Sequence, residues 1–343
     1  MAVSIADVQK LRKLTGAGLA DCKKALDETV GDIEKAIEII RAKGQAIAAK
    51  RSDRETSNGC VLVKAGNGFG AIIALKCETD FVANGKDYIQ LTQDIIDAAV
   101  AAKAKNLDEV KALTLADGTK VEDAVIARSG ITGEKMELDG YHFIEGENIY
   151  TYNHMNKNLL CTMVQTNKPA AEEGHAVARL PEFKEFAHQI AMQIAAMKPI
   201  ALDEASVPQE VKDEELKVAI EKTKEEQVEK AVQAALKKAG FNLYIAESEE
   251  HIAEGIAKGN ITEAQAEEIR KIKTTVAEEK AASLPAEMVN NIAKGRMAKF
   301  FKENCLLEQE FIQDSKLSVG QYLKAADKDL TVLDFKRFTL RAE

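Results

Sequence analysis

Long apolar runs are absent from this chain of 343 residues. A helix that crosses a bilayer needs roughly 20 consecutive apolar residues, and no stretch approaches that length. Residues 1–10 carry no basic start leading into an apolar core, so the expectation is a cytoplasmic protein without a membrane partner. Cysteine is sparse: Cys22, Cys60, Cys77, Cys161 and Cys305 are an odd number, widely scattered, with no C-x-x-C spacing. That argues against a disulfide framework and against a zinc site, and leaves small buried thiols in a reducing compartment. The five histidines, at 142, 154, 175, 188 and 251, form no H-E-x-x-H or other ligand pattern. No cysteine sits in a recognisable nucleophile motif, and acidic pairs such as Glu172-Glu173 and Glu249-Glu250 fall in charged, solvated segments. An excess of positive charge is also missing. With a net charge of -9 and a pI of about 5.4, direct binding to nucleic acid is not expected.

What is present is a sequence of helix and turn signals. Ser4-Ile5-Ala6-Asp7 has capping-box spacing, and Ile5, Val8 and Leu11 continue at helical intervals. Thr15-Gly16-Ala17-Gly18 breaks that helix. Leu19, Cys22 and Leu26 stripe a second, and Asp32 caps a third, with Ile33, Ala36, Ile37 and Ile40 on one face and Gly44 as its stop. Residues 1–54 hold eleven Lys and Arg against eight Asp and Glu, a balance of +3 in an acidic chain. A mildly basic docking module and ordinary solvated helix faces fit this almost equally well. Residues 51–58 read as a polar linker.

Beyond the linker, Cys60-Val61-Leu62-Val63, Asn67-Gly68 and an apolar run up to Cys77 read as strand, tight turn and strand. The Gly66-x-Gly68-x-Gly70 spacing is no phosphate loop, because it joins strand to strand instead of strand to helix. Thr79-Asp80-Phe81-Val82 then opens a helix carrying Tyr88, Leu91, Ile95 and Ala99. Taken alone, it reads as a helix start capped by Thr79 or Asp80, with the Phe81 ring tucked beneath. A further helix over 121–128 and the glycines 130 and 133 close the first unit.

The next stretch reads as a replay. Tyr141-His142-Phe143-Ile144, Asn148 to Tyr152 and Leu159 to Val164 are strand-like, and a helix over 183–197 places Phe186, Ile190, Gln193, Ile194 and Met197 on one face. Residues 211–238 form one long charged helix. Thr262-Glu263-Ala264-Gln265 is a capping box, after which Ala266, Ile269, Ile272 and Val276 space like a coiled-coil seam. Helices over 289–303 and 319–325 follow, and a closing strand over 333–340 returns to the second unit.

The fold class expected is therefore α+β: an amino-terminal three-helix bundle (1–54), then a duplicated antiparallel sheet-plus-helix core (55–140, then 141–206 with 284–343), with an inserted antiparallel helical coiled-coil arm (207–283).

Residues 11–26, with Thr15-Gly16-Ala17-Gly18-Leu19 at their centre, and Gly31-Asp32-Ile33 closely resemble the amino-terminal module of the bacterial elongation factor Ts family. Thr79-Asp80-Phe81-Val82, Gln193-Ile194-Ala195-Ala196-Met197-Lys198-Pro199, Gly295-Arg296-Met297 and Cys305-Leu306-Leu307-Glu308-Gln309 extend the resemblance along nearly the whole chain. The arm looks longer than in compact members. The resemblance implies a ubiquitin-associated-type bundle and a guanine-nucleotide exchange factor that binds elongation factor Tu, both GDP-bound and nucleotide-free, and disturbs its magnesium and phosphate sites. In that reading it is not an enzyme, consumes no cofactor and coordinates no metal of its own. The implied contacts are Thr79, Asp80, Phe81 and Val82 as the magnesium-dislocating motif, with Leu11, Arg12, Gly16, Ala17, Gly18 and Leu19 in the bundle. Gln193 stands where members often carry His, and the resemblance passes that residue's contact role to it. The match turns Phe81 from a tucked ring into a wedge. Oligomeric state stays open, a homodimer and a higher complex with elongation factor Tu both fitting. The alternative function is a helical-arm adaptor that scaffolds proteins without exchanging nucleotide.

Overall fold

The computed structural model describes residues 3–169 and 182–341. The sequence expectations for Glu172, Glu173, His175 and the Phe186 side chain lie outside the described residues. The chain divides into two compact units, Met1–Leu202 with Glu310–Glu343, and Asp203–Gln309.

The first unit begins with α1 (Ile5–Thr15), α2 (Leu19–Glu28) and α3 (Ile33–Lys50). Ser4 caps α1 by accepting the Asp7 N–H at 3.1 Å, and Asp32 accepts the Lys35 N–H at 3.1 Å at the head of α3. Val8, Leu11, Cys22, Ala25, Leu26, Ala36 and Ile40 bury one another as a small core. Two residues expected on the apolar faces lie outside it: Ile5 is 80% and Leu19 51% exposed. Gly44 is not a stop either. Helix α3 runs on for six residues, because Gly44 is where it meets α7 (Val121–Thr132). A Cβ on Gly130 of α7 would lie 2.7 Å from the Gly44 Cα, and one on Gly44 would lie 2.9 Å from the Ile126 carbonyl oxygen. The glycines let two helix backbones touch, which no side chain permits.

Strands β1 (Asn58–Gly66) and β2 (Phe69–Cys77) form a hairpin whose turn residues, Asn67 and Gly68, have φ of 53° and 70°. Positive φ at both central positions is the type I′ turn that matches strand twist. Alternate residues of β2 then point to two different cores. Phe69, Ala71, Ile73, Leu75 and Cys77 pack under α4 (Asp80–Ala83), α5 (Lys86–Ala102) and α7, with Val110 of α6 (Leu107–Ala112). Ile72 and Ala74 face the opposite way, onto Cys161 and Met163. This period-two division makes β2 apolar from Phe69 to Leu75.

The strand expected to open the second unit belongs elsewhere. Residues 141–144 lie in β3 (Met136–Glu145), which pairs antiparallel with β2 and completes the sheet β1-β2-β3. The next hairpin, β4 (Ile149–Asn153) and β5 (Leu160–Thr166), leads to α8 (Glu182–Met197). Thr162 on β5 donates to the Ala191 carbonyl of α8 at 2.9 Å, tying sheet to helix.

The second unit is helical among its described residues: α9 (Gln209–Lys238), α10 (Leu243–Ala246), α11 (Glu249–Ala257), α12 (Glu263–Ser283) and α13 (Ala286–Asn304). Leu236, Ala246, Ile252, Ala266 and Ile269 are its core, and Thr262 with Gln265 forms the capping box that starts α12. Helix α13, expected with the closing strand, instead shares this unit, its Arg296 paired to Glu226 of α9 at 2.6 Å. The chain returns to the first unit through β6 (Glu310–Phe311), β7 (Asp314–Ser318), α14 (Val319–Ala326) and β8 (Val332–Thr339). Strand β8 pairs with β5, giving the sheet β4-β5-β8. Both three-stranded sheets thus follow one path of hairpin, helix and a third strand beside the second. The five cysteines are all buried and free, and burial pushes the Cys60 thiol up to about 12. Among the described residues no helix is long and apolar enough to cross a membrane, and no cluster of His, Cys, Asp and Glu could hold a metal ion.

Candidate functional site

The site grows from the junction between β2 and α5. Strand β2 ends at Cys77, and Thr79 takes an extended backbone as the cap of α4, its hydroxyl accepting the Val82 N–H at 3.4 Å. Helix α4 is only four residues long, so its side chains cannot share a face. Val82 and Ala83 turn to the core beside Tyr88, whose hydroxyl donates to the Leu75 carbonyl at 2.7 Å. Phe81 is left pointing outward and is 87% exposed, and Asp80 is exposed beside it. The tucked ring expected from the residues alone is therefore not what forms. Leaving a phenylalanine in water forgoes about 1.5 to 3 kcal/mol of burial, which a partner can recover.

Two carboxylates brace the loop. Glu78 accepts both contacts of Arg51, at 2.8 and 2.9 Å, and the Lys135 N–H at 2.6 Å. The Lys135 N–H first, and then the Arg51 guanidinium, hold the Glu78 carboxyl below its ordinary range. Glu134 accepts the N–H groups of Glu78 and Thr79, at 3.2 and 3.1 Å, and the Thr79 hydroxyl at 2.6 Å. Residues 51–58 are accordingly no free linker, since Lys135 also donates to the Ser52 and Arg54 carbonyls.

Beside Phe81 lies a hollow of about 300 Å³, which includes Gly85, Tyr88 and Thr132. A larger groove of about 640 Å³ runs from Leu14 and Gly16 past Ile37 to Ile131. Asp87 and Arg128 line both, paired at 3.5 Å, so one surface leads from the bundle to the exposed ring.

The other expected contacts divide sharply. Arg12, Gly18 and Leu19 are exposed, and Gly16, at φ of 68°, ends α1. Leu11 is fully buried and Ala17 3% exposed, so both serve as bundle core and offer no surface. Gln193 is fully buried too. Its amide donates to the Glu310 carbonyl at 3.0 Å and accepts the Ile312 N–H at 2.9 Å, binding α8 to β6. An exposed contact role does not fit that position. Sequence reasoning passed over Leu14, 54% exposed at the groove, and over Arg128 and Glu134. Leu14 follows Leu11 by three and looks like more core, whereas Glu134 carries no local signal, since its partners are 55 and 56 positions away. The described histidines pack: His142 against Phe338, His154 and His188 against Tyr152, and His251 against Tyr244.

The described surface thus joins an exposed ring on a braced loop, by way of a groove, to the three-helix bundle. The family model described as Elongation factor TS matches residues 78–269 and 254–342. Curated proteins named Elongation factor Ts are 59% identical in Bacteroides fragilis, 58% in Bacteroides thetaiotaomicron and 43% in Porphyromonas gingivalis, each over 100% of both chains. The chain belongs to the elongation factor Ts family and is a factor of translation elongation in protein biosynthesis.

Proposed function

We propose that the protein is the guanine-nucleotide exchange factor for elongation factor Tu, and that Phe81 and Asp80 do the displacing. The observation that carries the reading is the 87% exposure of Phe81 on a loop whose backbone is fixed by Glu134 and Thr79. A GTPase holds GDP through backbone donors around the phosphates and through Mg²⁺ bridging phosphate oxygens to protein and water. Phe81, inserted between partner helices, stabilises a displaced arrangement, while Asp80 offers a carboxylate to hydrogen bonds around the metal. A thousandfold faster release requires about 4 kcal/mol off the barrier. Burial of one Phe, at about 1.5 to 3 kcal/mol, together with polar contacts, is of that size.

In this reading the bundle over 1–54 is a ubiquitin-associated-type docking module. It engages the partner through Arg12, Leu14, Gly16, Gly18 and Leu19, while Leu11 and Ala17 support that surface from within. Residues 207–283 act as an antiparallel coiled-coil arm, a role supported by the apolar seam of α12 against Leu236 of α9. The factor works in the cytoplasm by binding alone: because it lowers GDP affinity, GDP lowers its own affinity by the same factor.

Release of a fluorescent GDP analogue from elongation factor Tu tests this. The wild-type protein at micromolar concentration accelerates release, and Phe81→Ala lowers the saturating rate by about 30-fold, the equivalent of roughly 2 kcal/mol. Melting temperature stays nearly unchanged, since most of the ring is already exposed. No acceleration by the wild type would leave the helical-arm adaptor as the better reading.

A further inference from the structure

The brace beneath Phe81 is more than a helix start requires. A four-residue helix is capped adequately by one side chain, and Thr79 supplies it. Yet the contact between the Thr79 hydroxyl and the Val82 N–H is long, 3.4 Å, while the same hydroxyl donates to Glu134 at 2.6 Å. The stronger of the two bonds runs to Glu134, charge-assisted and short. One carboxylate thereby takes three donors from two consecutive residues, immediately before the ring-bearing turn.

Glu134 is itself held. The Ser129 hydroxyl of α7 donates to the Glu134 carbonyl at 2.5 Å, and Gly133 ends α7 through its N–H on the Ser129 carbonyl at 2.9 Å. The adjacent residue closes the exchange in the other direction, since Lys135 gives its N–H to the Glu78 carboxylate. Segments 78–79 and 134–135 thus trade carboxylates for backbone donors. Such a cross-brace fixes the direction of the chain entering α4, and with it the direction of Phe81.

We infer that Glu134 is a positioning residue for exchange: its carboxylate, by holding the Glu78 and Thr79 N–H groups and the Thr79 hydroxyl, sets the angle at which Phe81 meets the partner. The inference rests on the wedge reading of Phe81 above. In this role Glu134 acts through the loop it holds, by its three bonds to Glu78 and Thr79. Glu134→Gln keeps the volume but loses the charge and one acceptor.

Two measurements on the full-length protein test it. Amide hydrogen exchange at Glu78 and Thr79 in Glu134→Gln rises about tenfold, while amides of β1 keep their protection. Saturating GDP release from elongation factor Tu falls about tenfold, with the concentration giving half-maximal rate changed less than twofold. In a Phe81→Ala background the same substitution has no further effect on release, because a residue acting through the ring has nothing left to act on. Thr79→Val, which removes the shortest bond of the three, reproduces both changes if Glu134→Gln folds poorly. Unchanged amide exchange would overturn the brace. Loosened amides with undiminished release, or equal losses with and without the ring, would overturn the positioning role. Phe81→Ala releasing GDP at the wild-type rate would instead sink the wedge reading, and this inference with it.

Discussion

Phe81 and Gln193 both belong to the strand-to-helix side of a sheet, and they end in opposite environments. The ring is 87% exposed and the amide is fully buried. Residue type alone would have reversed the two. Phe81 is outside because its one-turn helix spends its inward positions on Val82 and Ala83, and Gln193 is inside because its amide both donates to the Glu310 carbonyl of β6 and accepts the Ile312 N–H just beyond it. Availability is set by what the neighbouring backbone already demands.

That contrast can be broken by mutation. The largest effect expected is for Leu11→Ala, which opens a cavity in the small bundle core and costs about 2 to 5 kcal/mol, read by chemical denaturation. A stable Leu11→Ala protein with impaired docking would return that residue to the surface. Gln193→Leu comes next. It removes two hydrogen bonds, one to the Glu310 carbonyl and one from the Ile312 N–H, at a fully buried side chain, which costs about 1 to 3 kcal/mol and lowers the melting temperature. Exchange by the folded fraction is expected to stay normal, and a selective loss of exchange would erase the difference from Phe81.

The smallest effect is that of acid. Glu78 has its carboxyl depressed below the ordinary 4.5 by the Lys135 N–H and then Arg51, so the stability it adds is present above 4.5 and disappears as pH falls through the folded value. Melting curves of wild type and Glu78→Gln are expected to differ at pH 6 and to draw together as the pH is lowered below 4.5. A gap that widens in acid would contradict the sign.

Much of the fold was legible because its signals are local. The Ser4 and Thr262 caps, the Asn67-Gly68 turn and the long charged helix each depend on residues within one or two turns of one another. The misplacements share a different cause. Gly44 reads as a stop until Gly130 is seen lying against it, residues 141–144 read as a new unit until β2 is seen to need a third strand, and α13 reads as part of the closing segment until Glu226 meets Arg296. At the site, Thr79-Asp80-Phe81-Val82 was legible as a motif. Its brace was not, since Glu134 and Glu78 act across more than fifty residues of chain.

The contact between Gly44 and Gly130 bears on how this family member can change over time. Two backbones in touch leave no room for gradual adjustment, because any substitution at either position must displace a helix axis at once. The crossing of α3 with α7 is therefore set by main chain, and side-chain size at either glycine cannot tune it. A bundle transplanted from a distant relative would dock at its native pitch only if it brought a glycine to the same crossing.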